Sequence, residues 1–443
     1  MTRHRPMFAA AVVVIAAAAA VARARLAPAV IGVNPHPVRL ARPPVVPLSP
    51  VARLGRKIFF DTTLSGSGRM SCATCHDPAY AYGPPDAGAV RLGGAALDAQ
   101  GMRAVPSLRY MDRVPGFSIG PDNAEAENAS LARRAAVGAA APRSRKSAGV
   151  TAPMTALVPR GGFFWDGRAS TLQAQALIPL FSPVEMANGD MVIVAAKLRR
   201  ASYGKDFALF FGAQTVADAR RLVDEATFAV GRFELEDSSF HPYSSKYDAY
   251  LQGTATLTPA EARGLAVFED PARGNCAACH LDRPGQNGRP PMFTDYQYEA
   301  LGVPRNEHII ANRNPRHFDL GLCGPARADL ATDSAYCGMF RTPSLRNVAT
   351  RRVFFHNGVF HTLRHVLEFY AFRDTRPDSV YPHGVHGHVE KFNDMPSALR
   401  GNVDTIDGPF DRHAGDAPAL TARDIDDLIA FLKTLTDGWD GRR

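Results

Sequence analysis

Apolar side chains recur every third or fourth residue in several stretches of this chain, the spacing of helices with one buried face. Val51 to Phe60, Thr171 to Leu180, Met191 to Ala201 and Ala217 to Arg232 show it, with Asp224 and Glu225 on the polar side of the last. A further helix opens at Thr258-Pro259-Ala260-Glu261, where a Thr cap precedes a first turn carrying Pro and Glu. Thr421 to Leu435 repeats that design and buries Ile425, Leu428, Ile429, Phe431 and Leu432. Strand-like alternation is scarce. Residues 25–48, rich in Pro, Ala and Val, read as an extended leader. Residues 117–162 have no aromatic after Phe117 and read as an inserted surface loop or a mobile helix pair.

The N-terminus has a different pattern. Arg3 and Arg5 precede an unbroken apolar run from Met7 to Val21, and Ala22-Arg23-Ala24 has the small-x-small form of a signal-peptidase site. Residues 1–24 therefore read as a signal peptide, and the protein as periplasmic. The run is short for a membrane span, which needs about 20 residues, and a retained anchor is the other reading. Composition adds exclusions. At 443 residues, 46% hydrophobic and 21% charged, the chain is neither disordered, collagenous nor a multi-span membrane protein. Its net charge of +8 includes the leader's arginines. No Lys/Arg run interleaved with aromatics points to nucleic acid.

The six cysteines form three pairs. Cys72-Ala73-Thr74-Cys75-His76 and Cys276-Ala277-Ala278-Cys279-His280 are two copies of C-x-x-C-H, the c-type haem attachment pattern. Two thiols at that spacing reach both vinyl groups of one haem, and the adjacent imidazole reaches the iron. A zinc site has no need of a His behind each pair, and a thioredoxin-like motif would sit in a βαβ context absent here. Two covalently bound haem c groups follow. Cys323 and Cys337 remain, and in an oxidising compartment they read as a disulfide, with two free buried thiols as the alternative. The two haem motifs, far apart in the chain, predict a mainly α fold: two cytochrome c-like haem domains in tandem, with long loops and little β structure. The expected boundaries are 49–250 for the first domain and 251–443 for the second.

From about Leu54 to Trp439 the chain resembles the bacterial di-haem cytochrome c peroxidases and their MauG-like relatives. The resemblance rests on Leu54 to Asp61 (LGRKIFFD), Phe163 to Ala169 (FFWDGRA), Pro183 to Met186 (PVEM), Phe340 to Asn347 (FRTPSLRN) and Phe355 to Gly358 (FHNG). It implies a peroxide-reacting first haem with His76 as proximal ligand and an electron-transfer second haem with His280. It also implies that Trp165 relays electrons between the haems and that Glu185 is the distal acid/base. Gln175 and Pro179, one helical turn apart, match the distal neighbours of the MauG-like enzymes. For the second haem's other axial ligand the resemblance points just ahead of the Thr-Pro-Ser-Leu-Arg-Asn motif: Met339 fits, with Tyr336 as the MauG-like alternative. The family often forms homodimers.

Absences matter as well. The fourteen histidines include none between His76 and His241, so the loop 77–112 offers no His to block the first haem, only Met102 and Met111. The first haem is therefore expected to be five-coordinate in the oxidised protein. The calcium site usual in the family draws on an Asn where this chain has Ala104, so calcium would depend on backbone carbonyls and waters. The tryptophan that MauG carries before its second haem motif is replaced by Arg273-Gly274-Asn275. His383, His386 and His388 read as solvated loop residues, and His356 as structural.

The expected activity is reduction of hydrogen peroxide to water with electrons from a small periplasmic cytochrome c or cupredoxin. A MauG-like oxidase of an organic or protein substrate, and a purely electron-carrying di-haem cytochrome, are the alternatives.

Overall fold

The computed structural model describes residues 32–121 and 157–441. The expected signal peptide and most of the expected 117–162 loop lie outside them. Among the described residues the strands form three two-stranded antiparallel ribbons: β1 (Leu92–Gly93) with β2 (Ala99–Gln100), β3 (Ser118–Pro121) with β4 (Leu157–Arg160), and β5 (Tyr298–Glu299) with β6 (Phe340–Arg341). Helices supply the rest of the framework. The first half contains α1 (Pro50–Phe59), α2 (Cys72–Cys75), α3 (Leu172–Phe181), α4 (Met191–Arg200), α5 (Gly204–Phe211), α6 (Ala213–Ala217) and α7 (Ala219–Glu236). The second contains α8 (Lys246–Leu251), α9 (Pro259–Glu269), α10 (Leu363–Phe372) and α11 (Ala422–Lys433).

The helix starts follow the caps in the sequence. Thr258 and Glu261 form a reciprocal capping box on α9, and Thr421 with Asp424 does the same on α11. The helix expected over 217–232 is broken at Asp218, whose extended backbone lets its carboxylate accept from Arg221 N and start α7 afresh.

Both halves are built on one plan. In each, the helix ahead of the haem motif crosses the last helix of the domain so closely that a glycine is required. A methyl group on Gly55 of α1 would overlap the Ala229 carbonyl of α7, and one on Gly264 of α9 would overlap the Asp427 carbonyl of α11. Around the first crossing pack Leu54, Ile58, Phe59, Ala226, Val230 and Phe233; around the second, Val267, Phe268, Leu428 and Phe431.

The chain laces the domains together at both ends. The segment ahead of α1 runs along the second domain: Val38 N donates to Leu251 O and Ala41 N to Gly288 O, both at 2.8 Å, and Leu40 is buried in the second core. That core also takes Tyr247 and Leu251 of α8. After α11, Asp437 reaches back to accept from Tyr110 Oη at 2.8 Å and Arg109 Nη1 at 3.1 Å.

Candidate active site

The first haem motif opens as a single helical turn, α2. His76 follows as its cap, its amide donating to Cys72 O at 2.9 Å. Its Nδ1 lies 3.1 Å from Tyr82 O. A carbonyl can only accept, so the proton sits on Nδ1 and the Nε2 lone pair is free for a metal. Burial lowers the His76 pKa to about 4, which keeps the ring neutral, as ligation requires. Burial likewise pushes the Cys72 thiol up to about 12.

Cys75 and His76 line a cavity together with Trp165, Gln175, Pro179 and Glu185, so the side chains expected at this site do converge. Gln175 and Pro179 project from α3, and Glu185 comes from the turn after it. That turn is held against β1: Gly94 N donates to Glu185 O at 2.8 Å, and any side chain on Gly93 would strike the Val184 carbonyl. No second histidine lines this cavity; Met111 does, and Met102 does not.

The second motif repeats the arrangement. His280 Nδ1 lies 2.8 Å from Phe293 O, and burial lowers its pKa. Ser107 Oγ donates to Ala81 O in the first domain, and Ser344 Oγ donates to Met292 O in the second. Each Pro-Ser-Leu-Arg segment thus buttresses the residues whose carbonyl orients the histidine. Cys276, Cys279 and His280 line the second cavity.

Met339 is not on its wall. It packs instead with Tyr298, Leu322 and Tyr336 around the paired Cys323 and Cys337, whose Cα atoms are 4.9 Å apart. Tyr336 is in the same cluster and also misses the cavity. Met111 and Tyr370 do line it, and so does Met395, 4% exposed, from Phe392-Asn393-Asp394-Met395-Pro396. Gly338 (φ +87°) makes room for it, since a side chain there would press on the Met395 thioether. Gly338 turns the chain immediately ahead of Met339, whose side chain packs into the disulfide cluster. A methionine followed by proline in a buried segment was the signal available in the sequence, and nothing local ties it to residue 280.

Trp165 and Arg341 line both cavities. The indole Nε1 donates to Ala104 O at 2.8 Å, Arg341 N donates to Trp165 O at 2.9 Å, and Ala104 N donates to His356 O at 2.7 Å. Around this wall sits a buried ion-pair cluster. Arg103 forks onto Asp319 (2.6 and 2.7 Å) and also reaches Asp166 (2.7 Å), which Arg168 holds from its other oxygen at 2.8 Å.

The residues present fit haem. Beyond the thiols and free Nε2 atoms, Arg91 and Arg341 line the first cavity with buried, unpartnered Nε atoms, cations suited to anionic propionates. At the position where the family's calcium site uses an Asn, Ala104 offers no side-chain oxygen, and its carbonyl accepts from Trp165 Nε1.

Two cavities of this kind joined through one tryptophan define a di-haem redox protein. Residues 49–256 match the family described as di-haem cytochrome c peroxidase. The methylamine utilization protein MauG of Paracoccus denitrificans is 33% identical over 394 residues, covering 87% of this chain and 88% of that protein. Cytochrome c551 peroxidase of Nitrosomonas europaea is 26% identical, with 75% and 78% covered. The crystal structure of the diheme peroxidase BthA from Burkholderia thailandensis matches with a TM-score of 0.74 and 38% identity over 92% of both chains. The chain belongs to the di-haem cytochrome c peroxidase family, and it is an oxidoreductase of that type. No helix among the described residues is long and apolar enough to cross a membrane.

Proposed function

We propose that the protein is a periplasmic peroxidase that reduces hydrogen peroxide to water at the first cavity, with electrons from a small cytochrome c or cupredoxin entering at the second. One observation carries the reading: Glu185, Gln175 and Pro179 face only the first cavity, Met395 faces only the second, and Trp165 belongs to both. When bound, the two haems supply the redox chemistry, a peroxide-binding iron in one cavity and an electron-entry iron in the other.

The chain's own residues do the rest. His76 and His280 each present a neutral Nε2, fixed by a backbone carbonyl behind the ring. The Glu185 carboxylate takes the proton from the inner oxygen of peroxide and returns it to the outer one, so that water is the leaving group. Gln175, 9% exposed, provides an amide hydrogen bond in the same cavity. Trp165, pinned through Nε1, shortens the path for electrons moving between the domains. Met395 would offer the second haem a thioether, a ligand that raises its potential as an electron acceptor. With no second histidine on its wall among the described residues, the first cavity would leave its haem open to peroxide in the oxidised protein.

Stopped-flow mixing of the diferric holoprotein with peroxide, followed by a reduced donor cytochrome, tests this. Two cytochromes oxidised per peroxide is the expected result. Spectral change without consumption of the cytochrome would turn the reading toward a MauG-like oxidase. A purely low-spin ferric electron paramagnetic resonance spectrum would refute the vacant first iron.

A further inference from the structure

The two Pro-Ser-Leu-Arg segments are followed by different residues, Asn347 in the second domain and Tyr110 in the first. Both adopt the left-handed backbone conformation, φ +60° at Asn347 and +64° at Tyr110. Asparagine tolerates it readily and a bulky aromatic less so, and Tyr110 shares it with seven other aromatics among the described residues, Tyr243 included. Tyr110 is 1% exposed and faces the second cavity, which Trp165 also lines. Its Oη donates to both oxygens of Asp437 at 2.8 Å, and Asp437 is ion-paired with Arg109. Its ring lies 4.8 Å from that of Tyr243, whose own hydroxyl points at Met292 Sδ, 3.7 Å away.

Packing alone would be served by phenylalanine. What the hydroxyl adds is a bond accepted from Tyr243 N at 3.1 Å and a proton aimed at a carboxylate within transfer distance.

We propose that Tyr110 is a redox-active tyrosine: when peroxide has oxidised the protein and no donor is at hand, Tyr110 gives up one electron across the cavity wall and passes its phenolic proton to Asp437. The step balances. Peroxide is the oxidant, the O–H bond of Tyr110 breaks, the electron fills one of the two vacancies peroxide leaves, and the proton stays on Asp437 until an electron and that proton return together. The neutral radical that remains lies against Tyr243, the next oxidisable ring on the way to Met292. This inference rests on the peroxidase reading above and deepens it.

The test is freeze-quenched electron paramagnetic resonance of the diferric holoprotein mixed with peroxide in the absence of donor. A narrow organic radical is expected, and its hyperfine pattern should collapse when the protein carries ring-deuterated tyrosine. Tyr110→Phe should abolish that signal, whereas Asp437→Asn should keep the tyrosine and reduce the radical yield severalfold. The deuteration arm uses the unaltered sequence and so does not depend on any variant folding. A signal insensitive to tyrosine deuteration, or undiminished in Tyr110→Phe, overturns the assignment. Haem bands that respond to peroxide without any tyrosine signal overturn it and leave the peroxidase reading standing. No response to peroxide at all overturns both.

Discussion

Replacing Arg103 by methionine keeps most of the stem and removes the one cation that ties Asp319, in the second domain, to the wall carrying Trp165. The wild-type side chains are 9% exposed for Arg103, 8% for Asp319 and 0% for Asp166. Asp166 keeps its bond from Arg168, but Asp319 is left with only the Gly321 amide at 3.2 Å. Breaking a buried pair while leaving one charge behind costs about 3–5 kcal/mol, and that is the expected loss at neutral pH. The pH dependence follows in sign. Burial pushes the Asp319 carboxyl up, and the Arg103 guanidinium more than offsets this, holding it below its ordinary value. In the wild type its stabilising contribution is therefore complete above the unfolded-state pKa of about 3.9 and is lost only as the pH falls through the lower folded value. In Arg103→Met burial outweighs what remains, the Gly321 amide and His356, so the carboxyl takes up a proton in mildly acid solution and the penalty shrinks. Urea unfolding of both holoproteins, followed by fluorescence, should show a gap that narrows from pH 7 toward about pH 5. Adding Asp319→Asn to the variant should restore part of the loss at pH 7. A gap below about 1 kcal/mol, or one that is the same at both pH values, would show that this cluster does not hold the domains as argued.

Other consequences are as direct. Glu185→Gln should lower the rate constant for peroxide by about 100- to 10,000-fold while leaving both haems attached, as stopped-flow traces and absorbance of the denatured protein would show. Met395→Ala should convert the low-spin haem to high spin in magnetic resonance and visible spectra, whereas Met339→Ala should leave the spectra alone; the reverse result would restore Met339 as the ligand. Gly55→Ala gains about 1 kcal/mol of helix propensity but drives a methyl into the Ala229 carbonyl, so a net destabilisation of about 1–3 kcal/mol is expected in the same urea assay.

Local patterns in the sequence settled a good deal. C-x-x-C-H marks which thiols and which imidazole would share a haem, because all three lie within one turn of chain. The Thr caps placed the starts of α9 and α11, and apolar spacing announced α1, α3 and α4, because a helix buries its face whatever lies opposite. Family motifs marked Trp165, Glu185, Gln175 and Pro179, and the fold gathers all four with His76 around one cavity. Tertiary structure alone decided everything that depends on distant segments meeting. Met395, remote in sequence from His280, reaches the second cavity while Met339 is turned aside, because the choice rests on a glycine turn and on packing around Cys323 and Cys337. The binding of the leader to the second domain, the reach of Asp437 back to Tyr110, and the buried cluster of Arg103, Asp166 and Asp319 likewise leave no local trace. Periodicity reports which side of an element is buried; which side chains it meets there is determined only when the whole chain has folded.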